Sequence, residues 1–123
     1  MSSALVIDDN RQTAETLCRM LGMLGVDARA AFGPREALLL LQDHHPDIIF
    51  LDIRMPGVDG FEVLKYLQRQ PDLKDVPVVI VTSDDQSETE RKARTTGALM
   101  TLVKPVSIET LESVLQTTKL ISR

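Results

Sequence analysis

The chain of 123 residues has one cysteine, one tyrosine, three phenylalanines and no tryptophan. A single cysteine, Cys18, excludes an internal disulfide and a thiolate metal cluster. So few flat aromatic faces count against flavin sites, aromatic cages and base-stacking platforms. Long hydrophobic runs are missing as well. Runs such as Leu38–Leu41 and Val78–Val81 fall far short of the ~20 residues of a membrane span. No basic stretch precedes the apolar residues of MSSALVIDDN, so the N-terminus does not read as a secretory signal. Nor is there an excess of positive charge: 14 Lys+Arg face 18 Asp+Glu, a net charge of -4, which gives no electrostatic reason to bind nucleic acid or an anionic membrane. What remains is a cytoplasmic protein of one domain, residues 1–123. Its hydrophobic residues suffice for a core that needs no covalent staple.

Two hydrophobic signatures alternate along the chain. Short apolar, mostly β-branched runs are Leu5–Ile7, Ile48–Leu51, Val78–Val81 and Leu99–Val103, with Val26–Ala31 a weaker strand expected at a sheet edge. Between them, apolar residues recur at helical spacing: Ala14, Leu17, Cys18, Leu21 and Leu24; then Leu64 and Leu67; then Ile108, Leu111 and Leu115. Punctuation agrees. Pro34 follows Gly33 at a first helical position, and the residue before Pro46 disfavours the α region and ends that helix. Gly97 stops the polar helix Ser87–Thr96, and Ser107 caps the last helix. The order is five βα units. The inner strands barely alternate, as expected of strands covered on both faces. Right-handed crossovers then predict a parallel five-stranded sheet between helices, an α/β flavodoxin-like (βα)5 sandwich of strand order 2-1-3-4-5.

In such folds chemistry sits beyond the carboxyl ends of the strands. The first strand ends in Asp8-Asp9, the third in Asp52, the fourth in Thr82-Ser83 and the fifth in Lys104-Pro105. A parallel sheet gathers three carboxylates, a hydroxyl and one ammonium into one shallow pocket. Three packed anions repel one another, and Lys104 supplies a single positive charge. The deficit suits a hard divalent cation held by oxygen ligands, Mg2+ above all. A carboxylate in that setting can attack phosphorus and become an aspartyl phosphate, with the metal and Lys104 offsetting the phosphoryl charge and Thr82 donating a hydrogen bond. No Walker-type glycine loop or kinase motif points to a nucleotide donor.

VIDDN (6–10), LDIRMPGVDGFEVL (51–64), VIVTS (79–83) and LVKPV (102–106) together resemble the receiver domain of two-component response regulators, over nearly the whole chain. The resemblance implies that Asp52 accepts a phosphoryl group from a phosphohistidine on a histidine kinase or histidine phosphotransfer protein. It also implies that Asp9, Asp52 and the backbone carbonyl of Arg54 bind Mg2+, with Asp8 acting through water. Thr82, the Ser83 backbone N–H and Lys104 would hold the phosphoryl oxygens, and the face of the fourth helix, fifth strand and fifth helix would meet a downstream protein. Phosphoryl transfer would be self-catalysed rather than enzymatic turnover on another substrate. Arg54 and Asp84, two residues beyond Asp52 and Thr82, flank the pocket mouth at positions that in receivers influence phosphate loss. Their opposite charges predict a pair that shields the phosphoaspartate.

The sequence departs from the family pattern at Thr101, where receivers usually carry Tyr or Phe, at Val106, where Phe is common, and at Thr82-Ser83 in place of Thr-Ala. Other readings are a receiver from a longer regulator or hybrid kinase, and a poorly switching receiver that serves as an interaction module. A flavin carrier on the same fold is opposed by Asp8-Asp9-Asn10, which would repel a flavin phosphate. A haloacid-dehalogenase-like phosphatase would place its nucleophile after the first strand. Taken alone, Asp8-Asp9 reads as a helix cap, Asp59-Gly60 as a turn and helix start, Met20, Met23 and Met55 as packing, His44 and His45 as solvent-facing, and Glu88–Arg94 as a solvated helix face.

Overall fold

The apolar runs become strands and the periodic stretches helices in a computed structural model that describes residues 2–122. In chain order these are β1 (Ser3–Ile7), α1 (Arg11–Met23), β2 (Asp27–Ala31), α2 (Pro34–Asp43), β3 (Ile48–Leu51), α3 (Gly60–Arg69), β4 (Val78–Thr82), α4 (Ser87–Thr96), β5 (Met100–Val103) and α5 (Ile108–Thr117). The five strands pair in parallel in the order β2-β1-β3-β4-β5, the flavodoxin-like arrangement expected. Arg54–Met55 pairs antiparallel with Val58–Asp59 in a two-residue ladder between β3 and α3.

The lack of alternation in the inner strands has a direct structural cause. Leu5, Ile7, Ile49, Leu51, Val78 and Ile80 pack on one side of the sheet with Leu64 and Leu67 of α3 and Ala93 of α4. Their neighbours Ala4, Val6, Ile48, Phe50, Val79 and Val81 pack on the other side with Leu17 and Leu21 of α1 and Leu111 and Leu115 of α5. Both faces are covered, so the inner strands are apolar on both sides except at their ends, Ser3 of β1 and Thr82 of β4. Truncating such a fully buried leucine to alanine costs about 2–5 kcal/mol. The edge strand β2, DARAA, instead alternates between exposed and half-buried positions until Ala31. Met23 departs from its expected packing role. It is 74% exposed because it falls off the Ala14–Leu17–Leu21 stripe at the last turn of α1, whereas Met55 is buried. His45 is exposed, while His44 is half-buried with Nε2 2.7 Å from Arg29 Nη1.

Loop chemistry sets where α3 and α4 begin and end. Asp59 caps α3 by accepting from the Phe61 N–H, and Gly60 lets α3 start against the backbone just after β3: a Cβ at Gly60 would lie 2.5 Å from Ile53 Cα. Gly97 ends α4 at φ 122°, a conformation that favours glycine. Ser107 caps α5 through the Thr110 N–H, as its sequence position predicts.

Candidate functional site

The ladder hydrogen bonds run one residue beyond the strands and so fix the polar groups at their ends. The Asp8 N–H donates to Ala31 O, the Asp52 N–H to Ile7 O and the Lys104 N–H to Thr82 O, at 2.8–3.0 Å. Parallel register thus brings Asp8 and Asp52 side by side from β1 and β3, with Lys104 arriving from β5. One carboxylate oxygen each from Asp8, Asp9 and Asp52 lies within 4.8 Å of the others. Asp8 and Asp52 are buried, the latter only 5% exposed, and Asp9 faces solvent.

Every oxygen of the two buried carboxylates has a partner. Asp8 Oδ1 accepts from the Asn10 N–H at 2.9 Å, and Asp8 Oδ2 takes Lys104 Nζ at 2.7 Å. Asp52 Oδ1 accepts from the Arg54 N–H at 3.0 Å, and Asp52 Oδ2 lies 3.4 Å from the same ammonium. Among the described residues no buried side-chain polar atom lacks a partner. The cap of α1 is not Asp8-Asp9 but Asn10, whose Oδ1 accepts from the Thr13 N–H at 3.0 Å. Both aspartates are thereby left free for the pocket.

The charges do not balance as well as the hydrogen bonds. Burial pushes the Asp52 carboxyl above its ordinary value, and the Asp8 charge pushes the same way, against the Arg54 N–H and Lys104. For Lys104 burial acts downward, but its hydrogen bond to Asp8 and the charges of Asp52 and Asp8 outweigh it, and the ammonium is held above its ordinary value. Three carboxylates with one ammonium make an oxygen-lined, electron-rich cluster suited to a small hard cation. The donor set fits Mg2+: all oxygen, no histidine or thiolate, and close enough to share one ion.

Thr82 is fully buried at the end of β4, and its Oγ1 accepts from the Asp84 N–H at 3.2 Å. Ser83 is exposed beside it. Arg54 and Asp84 pair as their charges predict. Asp84 Oδ2 accepts from Arg54 Nε at 3.2 Å and from Nη2 at 2.5 Å. The Asp84 carboxyl is held down at about 2 by the Gln86 N–H first, then by Arg54 and Thr89. Thr101 is half-buried in edge strand β5, its register partner being Ile80 of β4, and Val106 is half-buried against the α1–α5 side.

Thr89 went unnoticed in the sequence. It lies in SETERKARTT, a run that reads as a solvated face, and most of that run is exposed. Yet Thr89 is only 7% exposed, and its Oγ1 donates to Asp84 Oδ2 at 2.7 Å. The one available signal was its spacing four residues before Ala93, the other buried residue of α4.

Residues 4–116 match the model of the response regulator receiver domain. The polar-differentiation response regulator DivK of Brucella ovis is 32% identical over 117 residues, covering 92% of this chain and 95% of the relative. Protein PilG of Pseudomonas aeruginosa is 38% identical over 110 residues, covering 87% and 79%. Among solved structures, the chemotaxis protein CheY4 of Vibrio cholerae superposes with a TM-score of 0.89 at 31% identity, covering 96% and 98%.

Proposed function

Because the chain belongs to the response regulator receiver domain family of two-component systems, we propose that it is a phosphorylation-dependent signalling switch with Asp52 as its phosphoacceptor. The observation that carries this reading is the buried Asp52 carboxylate, 3.4 Å from Lys104 Nζ and grouped with Asp8 and Asp9.

An Asp52 carboxylate oxygen attacks the phosphorus of a phosphohistidine on a histidine kinase or histidine phosphotransfer protein. The O–P bond forms as the N–P bond breaks, and the imidazole leaves and takes up a proton. Lys104, already beside Asp52, neutralises part of the charge on the transferring oxygens. The Thr82 hydroxyl gives up its contact with the Asp84 N–H to donate to a phosphoryl oxygen, and the Ser83 N–H meets another. Asp9, Asp52 and the Arg54 carbonyl would hold Mg2+, with Asp8 acting through water. When bound, the ion supplies the positive charge that Lys104 alone does not. Hydrolysis reverses the state: water attacks phosphorus and Asp52 is regenerated with release of phosphate. The Arg54–Asp84 pair covers the mouth of the pocket and slows that step.

Output passes to a downstream protein at the face of α4, β5 and α5. One observation favours a second reading, an interaction module that switches weakly: Thr101 stands in β5 where receivers usually carry an aromatic ring. No described helix is long and apolar enough to cross a membrane.

Incubation with acetyl phosphate and Mg2+, followed by intact mass measurement, tests the proposal. One added phosphoryl group that is absent in Asp52→Asn supports it; an unmodified wild-type protein overturns it.

A further inference from the structure

Asp84 joins three separate parts of the molecule. Its N–H meets Thr82 Oγ1 at the end of β4, its Oδ1 accepts from the Gln86 N–H at 3.0 Å, and its Oδ2 is shared by Arg54 and Thr89. Gln86 is the N-cap of α4 and makes no side-chain cap of its own. The first turn of α4 is therefore tied down largely through Asp84. Thr89 sits in that turn, its own N–H donating to Gln86 O at 3.1 Å. The Thr89 hydroxyl is buried, and Asp84 is its hydrogen-bond partner. The Gln86 N–H holds Oδ1 of this largely buried carboxylate, and the buried Thr89 hydroxyl is the donor that fixes where Oδ2 points. Arg54, with 57% of its side chain exposed, fixes it less firmly.

We propose that Thr89 is a positioning residue: its hydroxyl fixes the Asp84 rotamer that engages Arg54, so phosphoryl lifetime at Asp52 and the order of the first turn of α4 are coupled through one carboxylate oxygen. This rests on the reading of Asp52 as phosphoacceptor and of Arg54–Asp84 as its cover. Loosening of either end then reaches the other. An Arg54 side chain drawn away by a partner frees Asp84 from one of its anchors, and a disturbance at α4 uncovers the pocket.

Thr89→Val keeps the shape and removes the donor; Thr89→Ser restores it. After phosphorylation with acetyl phosphate and Mg2+ and removal of the donor, intact mass measurement reads the decay of phosphorylated protein. Thr89→Val is expected to shorten the lifetime about threefold, Thr89→Ser to keep it within error, and Thr89→Val in an Arg54→Ala background to add nothing further. A second measurement needs neither phosphoryl group nor metal. In chelator-treated protein, amide hydrogen exchange at Gln86 and Thr89 should accelerate in Thr89→Val and also in Arg54→Ala.

A wild-type lifetime in Thr89→Val, additive effects of the two substitutions, or α4 exchange that ignores Arg54→Ala each overturn the coupling. Failure of wild-type protein to take up phosphoryl instead overturns the phosphoacceptor reading, and the exchange experiment still decides whether Arg54 and α4 are linked.

Discussion

Lys104 Nζ stands 2.7 Å from Asp8 Oδ2, close enough that this buried carboxylate holds the ammonium even without Asp52, which is 3.4 Å away. Asp52 is thus the less compensated of two buried anions. Removing its charge should relieve repulsion without orphaning Lys104. In metal-free buffer at pH 7, Asp52→Asn is expected to be more stable than wild type by about 1 kcal/mol, or roughly 4 °C in Tm. Millimolar Mg2+ should narrow that gap by stabilising wild type more than the variant. Thermal denaturation with and without chelator measures both effects.

Arg54→Ala and Asp84→Ala should each hasten loss of phosphoryl from Asp52. Exposed ion pairs contribute little, so the increase should stay within about fivefold. Decay of phosphorylated protein by intact mass reads it, and unchanged rates in both variants contradict the shielding role.

Burial, and then the Glu15 charge, push the Cys18 thiol from 9.0 to about 11. At pH 8 alkylation by iodoacetamide should be slow against free cysteine and should keep rising with pH to about 11. The linkage sign follows. The folded state holds the proton more tightly than the unfolded chain, so this contribution to stability is complete below pH 9 and is lost as pH rises toward 11. Denaturant midpoints between pH 8 and 11 should fall less steeply in Cys18→Ala than in wild type.

Gly60→Ala places a methyl group 2.5 Å from Ile53 Cα, one residue beyond Asp52. Backbone, not a flexible side chain, has to move. A loss of about 2 kcal/mol or more is expected, together with weaker binding of Mg2+ and beryllofluoride. Chemical denaturation and titration calorimetry check the two parts.

The architecture was readable because each inner strand is a short run of apolar residues and each helix carries either an apolar stripe or a capping residue. Ile48–Leu51 and the stripe Leu17–Leu21 needed no tertiary information. The pocket was readable for the same reason: Asp8, Asp52 and Lys104 immediately follow strands, and Thr82 ends one, whose register lines them up. What escaped depends on contacts between distant segments. The Arg54–Met55/Val58–Asp59 ladder is too short to show any period. The cap role fell to Asn10 because the Asp8 side chain is turned inward by Lys104. Thr89 is buried by packing of α4 against its surroundings, and a polar residue in a charged run carries no mark of that.

The most direct test of Asp52 as phosphoacceptor is site-resolved. Protein treated with acetyl phosphate and Mg2+ is reduced with borohydride, which converts an aspartyl phosphate to homoserine, and peptide mapping then locates the change. The account predicts conversion at Asp52 alone, abolished by chelation of Mg2+ and slowed in Lys104→Ala. Conversion at Asp8, Asp9 or any other carboxylate, or conversion at Asp52 that persists unaltered without Mg2+, would contradict it.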